Sequence, residues 1–173
     1  MKTIILPGYS LHNKDWAEEI AGSLKLRHEV LVHNWKHWPS TSSVSSRQSF
    51  SLKYELDKIV QEVGSENVNI IAKSVGVYVA LNLIPKISSQ VNKIILCGIA
   101  SVANDDRKAL VESMLSKVPV ENILCIQNEN DKFVKFSDAE NFYHSVEPKL
   151  KVISKPRSDH NYPYPEDFQE FLS

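Results

Sequence analysis

Apolar positions along the chain follow two alternating rhythms. Short, nearly unbroken runs rich in isoleucine, leucine and valine lie at Thr3–Leu6, His28–His33, Val68–Ala72, Lys93–Cys97, Asn122–Gln127 and Leu150–Ile153. Runs of this length and composition read as strands covered on both faces. Between them the apolar residues step by three and four. Trp16, Ile20 and Leu24 form one stripe; Leu52, Leu56, Ile59, Val60 and Val63 form a second; Val75, Val79 and Leu83, with Ala80 beside them, form a third. Leu110, Val111, Met114, Leu115 and Val118 make a fourth, opened by Asn104–Asp105 and closed by Pro119. Each is the apolar face of an amphipathic helix. Ser137 and Glu140 have capping-box spacing ahead of a fifth helix carrying Phe142 and Val146. Pro165–Glu166–Asp167 opens a short last helix that buries Phe168, Phe171 and Leu172.

Strand and helix alternating in this way predict βαβ units: an α/β fold with a parallel sheet of about six strands and helices on both faces. The 173 residues are enough for one domain with a sizeable core, so residues 1–173 are expected to form a single domain. One segment breaks the rhythm. Residues 34–49, "NWKHWPSTSSVSSRQS", are serine-rich and aperiodic, which makes them a surface loop. Its two tryptophans suggest that part of it leans on something, either as a structural prop or in contact with a substrate.

A polar pair interrupts the third strand–helix junction, in "NIIAKSVGVYVAL". A hydroxyl there must be hydrogen-bonded or held open for chemistry, because an unpaired buried hydroxyl costs about 1–3 kcal/mol. Ala72 and Gly76 stand two residues before and after Ser74. That is the G-x-S-x-G nucleophile elbow with alanine in its first position, set between an apolar strand and a helical stripe as the motif requires. The alternative is that Ser74 merely caps the helix that starts at Val75.

A serine nucleophile needs a base to take its proton and an acid to orient that base. In a parallel sheet, partners stand just beyond the carboxyl ends of later strands. Glu129 and Asp131 follow the fifth run, and Asp159 and His160 follow the sixth, in the order serine, acid, histidine. Asp131 is favoured over Glu129 as the shorter, stiffer carboxylate, and Asp159 is expected to point elsewhere. His12, His28, His33, His37 and His144 all precede the required position, although His12 lies in the loop after the first strand. An oxyanion needs preorganised donors. The backbone N–H of Val75 is one candidate, and that of Tyr9 in "LPGYS" is the other, with Ser10 the second choice.

These residues resemble the α/β-hydrolase superfamily, and within it the small, lidless serine hydrolases of the retinoblastoma-binding-protein-9 and YdeN-like group. The likeness rests on the "LPGYS" turn, the "NW" after the second strand, the "AKSVG" elbow, "NENDKFV" and "SDHNYP", and spans nearly the whole chain. It implies a three-layer sandwich with Ser74 as nucleophile, Asp131 as acid, His160 as base, and Tyr9 and Val75 as oxyanion donors. Lys73 stands where that superfamily frequently has histidine. Such a side chain usually reaches solvent, though its charge could also pair with an acid or favour an anionic substrate. "GIASVAND" is too short for a lid, so the site should be shallow and open.

Charge and cysteine content narrow the partners. Twenty basic against 21 acidic residues leave no field to gather nucleic acid or an anionic membrane. Cys97 and Cys125 sit inside apolar runs and fit a reducing compartment. The N-terminal apolar run is too short for a signal-peptide core, and no run reaches membrane-spanning length, so a cytoplasmic location is expected. The expectation is therefore an esterase-like hydrolase of a small acyl substrate that needs neither cofactor nor metal. A hydrolase-fold binding module acting through a protein partner is the rival. A cysteine-based enzyme is weak, since nothing around Cys97 would lower its pKa.

Overall fold

The computed structural model describes residues 1–38, 49–103 and 105–173. Six strands are joined in one sheet: β1 (Lys2–Leu6), β2 (Glu29–Val32), β3 (Val68–Lys73), β4 (Val91–Cys97), β5 (Ile123–Asn128) and β6 (Lys151–Lys155). Their order is β2-β1-β3-β4-β5-β6, and every neighbouring pair is parallel. The helices between them are α1 (His12–Ser23), α2 (Leu52–Val63), α3 (Val75–Leu83), α4 (Asp105–Leu115), α5 (Phe136–Val146) and α6 (Pro165–Leu172).

Two apolar layers sandwich the sheet. On one face Leu56, Ile59 and Val63 of α2, Val79 and Leu83 of α3, Val111 and Met114 of α4 and Tyr143 of α5 pack on Ile4, Ile70 and Ile94. On the other, Trp16 and Ile20 of α1 and Phe168 and Leu172 of α6 pack on Ile5, Ile71 and Ile95. Alternate residues of one strand thus enter opposite cores, which is why the central strands read as unbroken apolar runs.

The elements fall where the sequence pattern predicts them, with local differences. β2 is an edge strand of four residues, because only Glu29–Val32 pair with β1; His28 and His33 lie outside it. β6 extends to Lys155 because its partner β5 extends to Asn128. The capping box at Ser137 does not form. Helix α5 starts at Phe136, whose N–H is held by the Glu129 carbonyl at 3.2 Å, and the carbonyl of Lys135 takes the first N–H groups of the turn. Ser137 is therefore already inside the helix. Of the serine-rich segment, residues 39–48 lie outside the described residues, as does Asn104 ahead of α4.

The strand order matters for function. The chain moves outward from β1 to the edge at β2, then returns to place β3 on the other side of β1. The loops leaving β1 and β3 diverge at this switch point and open a crevice beyond the carboxyl ends of the strands.

Candidate active site

Ser74 occupies the bend between β3 and α3 with φ 58° and ψ −115°. Among the described residues it is the one non-glycine with positive φ. Such a backbone costs of order 1–3 kcal/mol and persists only where the surroundings impose it. Here the N–H of Ser74 donates to the Cys97 carbonyl on β4 at 3.0 Å, and its own carbonyl accepts from Val77 at 3.0 Å. Gly76 lets the turn sit against β1, since a Cβ at this position would lie 2.0 Å from the carbonyl oxygen of Leu6. Ser74 holds the N-cap position of α3 but makes no side-chain capping bond. The capping explanation for this serine therefore fails.

Past β5 and β6 the two remaining sequence candidates meet. Nδ1 of His160 and Oδ2 of Asp131 are 2.6 Å apart. The same carboxylate accepts from the Tyr162 hydroxyl at 2.6 Å and from the Phe133 N–H at 2.9 Å. Burial would raise the pKa of Asp131, but these hydrogen bonds outweigh it and hold the carboxyl below its ordinary range. The other imidazole nitrogen, Nε2, is buried and has no hydrogen-bond partner among the described residues. An acid-held imidazole with a bare Nε2 is the form of a general base. Such contacts with a nucleophile are commonly long before substrate docks. Glu129 is exposed, and Asp159 is engaged by Arg157 and by the N–H of Asn161, so neither competes with Asp131.

The loop after β1 is tied from both sides. Asn13 at the start of α1 donates to the Ser10 hydroxyl at 2.9 Å and to its carbonyl at 3.0 Å, and its amide fills the space that a Cβ on Gly8 would need. From the segment after β2, the indole of Trp35 donates to the Gly8 carbonyl at 3.1 Å. The indole of Trp38 and the ring of His37 both donate to the Tyr9 carbonyl at 2.8 Å. The two tryptophans are thus props for this loop. The Gly8 carbonyl shares its peptide with the Tyr9 N–H, so the Trp35 bond fixes the plane of that donor, while the two bonds to the Tyr9 carbonyl fix the next peptide, which carries the Ser10 N–H. Neither the Tyr9 N–H nor the Val75 N–H donates to another described residue. Tyr9, Ser10, Asn13, Trp16, Ser74 and His160 all line one open cleft of about 590 Å³.

Residues 3–160 match the family model described as Serine hydrolase. The chain belongs to that family. No curated protein matches it. Among solved structures, this serine hydrolase resembles a predicted CIB-like hydrolase from Thermoplasma acidophilum, with a TM-score of 0.71 at 20% identity over 99% of this chain and 83% of that one. An alpha-beta serine hydrolase homologue from Coxiella burnetii gives 0.69 at 16% identity, over 99% and 83%. A lidless α/β serine hydrolase from Xanthomonas campestris gives 0.65 at 15% identity, over 99% and 78%. At these identities the likeness establishes the α/β-hydrolase fold.

One expectation for the hydrolase is overturned. Lys73 does not reach solvent: it is 4% exposed. Its Nζ donates to Asn13 Oδ1 at 2.6 Å and lies 4.9 Å from the centre of the Trp16 ring. Burial pulls its pKa down to about 8 against the milder opposing pull of Cys97, Asp131 and Asp159. The other histidines of the serine hydrolase are accounted for. His28 bonds Thr3, His33 bridges Glu55 and Glu62, His37 holds Tyr9, and His144 donates to the Leu150 carbonyl. His12 is exposed on the cleft wall. Cys97 and Cys125 are buried, free, and raised in pKa by desolvation, so neither is a thiolate.

Three supporting residues of the serine hydrolase carry no sequence signal of their own. Asn128, fully buried at the end of β5, donates through Nδ2 to the carbonyls of Asp159 (2.9 Å) and Asn161 (2.7 Å), and accepts from the Tyr164 hydroxyl at 2.6 Å. It grips the peptides on both sides of His160. Tyr162 spans Asp131 and the Asn128 N–H. Gly98, with φ 62°, lets this cluster approach β4; a Cβ there would lie 2.4 Å from the Tyr162 ring and 3.0 Å from His160 Cε1.

Proposed function

We propose that the chain hydrolyses a small ester, thioester or amide through an acyl-enzyme, with Ser74 as nucleophile, His160 as base and Asp131 as acid, residues 1–173 acting as one domain. The observation that carries the reading is the imidazole of His160: Nδ1 bound to a buried carboxylate, Nε2 bare, in the cleft that also holds a strained, uncapped Ser74.

In this mechanism His160 Nε2 takes the proton of Ser74 Oγ as Oγ bonds to the acyl carbon. The carbonyl oxygen becomes an oxyanion and is received by the N–H groups of Tyr9 and Val75. Asp131 keeps the imidazole in the tautomer that leaves Nε2 free and stabilises the imidazolium. Collapse breaks the bond to the leaving group, which departs with the proton from His160. Water, deprotonated by His160, then attacks the acyl carbon, and Ser74 regains its proton. Each oxyanion donor is worth about 10²–10³-fold in turnover. The open cleft suits short, flexible acyl groups. Two buried free thiols fit a reducing, cytoplasmic setting, and among the described residues no helix is long and apolar enough to cross a membrane.

The test is intact mass after incubation with a fluorophosphonate, for the wild type, Ser74→Ala and His160→Ala. One adduct on the wild type and none on either variant is the expected result. A folded wild type that takes no adduct would overturn the reading and favour the hydrolase-fold binding module.

A further inference from the structure

Lysine is almost never fully buried unless paired, yet Lys73 is 4% exposed and, among the described residues, has no carboxylate oxygen within 4.0 Å of Nζ. One of its three donors goes to a neutral amide oxygen, Asn13 Oδ1. The ring of Trp16 supplies a further weak attraction. An ammonium without a countercharge is costly in such a place. The carboxylates whose fields reach it are already engaged. Asp131 serves His160, Tyr162 and Phe133; Asp159 serves Arg157 and Asn161. Asp15 and Glu19 of α1 and Lys132 after β5 are exposed residues of the cleft wall. The wall of the cleft thus presents, one residue from the nucleophile, a buried cation lacking an anion.

We propose that Lys73 binds a carboxylate carried by the acyl chain of the substrate, so that the enzyme favours short acyl groups ending in a negative charge. The inference rests on the Ser74 reading above. The acyl side is chosen by position. Nζ is held to Asn13 and Trp16 on α1, beside the loop assigned to the oxyanion, whereas the leaving group must depart towards His160, which is carried on the turn after β6. Hydrolysis breaks the bond between the acyl carbon and the leaving oxygen, sulfur or nitrogen, and water supplies the hydroxyl of the released dicarboxylic acid. His160 returns the proton to the leaving group.

The experiment compares kcat/KM for mono-4-nitrophenyl glutarate and 4-nitrophenyl pentanoate, which share chain length and leaving group. A charge-assisted bond predicts a preference for the anionic ester of about 10–100-fold in the wild type near neutral pH. That ratio should fall at least about tenfold in Lys73→Met and survive in Lys73→Arg, which keeps its charge. In the wild type alone the ratio should decline as pH rises past about 8. His160 acts on both esters alike and cancels from the ratio. His12 on α1 lines the same cleft, and burial holds the thiol of Cys97 well above its ordinary pKa. Equal kcat/KM for the two esters, or a preference that ignores pH, overturns the proposal. If a fluorophosphonate labels Ser74 but neither ester is turned over, this inference falls and the Ser74 reading stands. No labelling removes both.

Discussion

Replacing Asn128 by alanine removes three side-chain hydrogen bonds, two to the carbonyls that bracket His160 and one from Tyr164. Each such bond contributes about 0.5–1.5 kcal/mol net, so the sum is about 3 kcal/mol. Asp159 and Asn161 are exposed, so their freed carbonyls can rehydrate, which moves the loss toward the lower end, about 2 kcal/mol. For a chain of this size that lowers Tm by about 4–8 °C. Catalysis should suffer more, because a displacement of about 1 Å in a positioned group can cost about 10²-fold. Calorimetry measures the first effect, and the second-order rate of fluorophosphonate labelling measures the second. A variant that melts within about 2 °C of the wild type and labels at the same rate would refute the idea that the end of β5 sets the position of His160.

Ser74→Gly removes a positive-φ backbone cost of about 1–3 kcal/mol and adds about 0.4–1 kcal/mol of unfolded-chain entropy, so it should melt above Ser74→Ala while both lose labelling; an equal or lower Tm argues against strain at the elbow. His33 is buried, which pulls its pKa down, but donation to Glu55 and Glu62 outweighs this and raises it above 6.5, while Glu62 is lowered below 4.5, its own burial outweighed by His33. The histidine's contribution is complete below 6.5 and lost as pH rises through the raised value; that of Glu62 is complete above 4.5 and lost as pH falls through the lowered one. The difference in urea midpoint between wild type and His33→Gln should therefore be largest between those two values and shrink at alkaline pH, and a pH-independent difference would contradict the raised pKa. Trp35→Phe deletes the donor to the Gly8 carbonyl, which shares a peptide with the Tyr9 N–H; kcat should fall about three- to tenfold with KM little changed, and an unaltered kcat would count against a role for the Tyr9 N–H.

Unbroken apolar runs mark the six strands, and apolar stripes with polar start signals mark the six α-helices, because each element is long enough for its pattern to show. Boundaries escape it where pairing decides them: β2 is only Glu29–Val32, the residues in register with Lys2–Ile5 of β1, and α5 starts early because Glu129 holds the N–H of Phe136. The placement of Ser74 at the bend and of Asp131 beside His160 is legible because the elbow dictates small neighbours and the sheet dictates where later loops emerge. Lys73 is not, since its burial is imposed by Asn13 and Trp16, about sixty residues away in the chain. Asn128 and Tyr162 look like ordinary residues at the ends of strands and turns. Their roles arise only when β5 and β6 are laid side by side.

All three tryptophans of the chain direct their indole N–H groups at the cleft's own loops: Trp16 to the carbonyl of Tyr162, Trp35 to that of Gly8 and Trp38 to that of Tyr9. Intrinsic fluorescence is consequently a local optical readout of this protein rather than a global one. Emission should respond to acylation, to ligand binding and to any shift of the first or last loop, and a stopped-flow trace could follow single turnovers without a dye or a chromogenic leaving group.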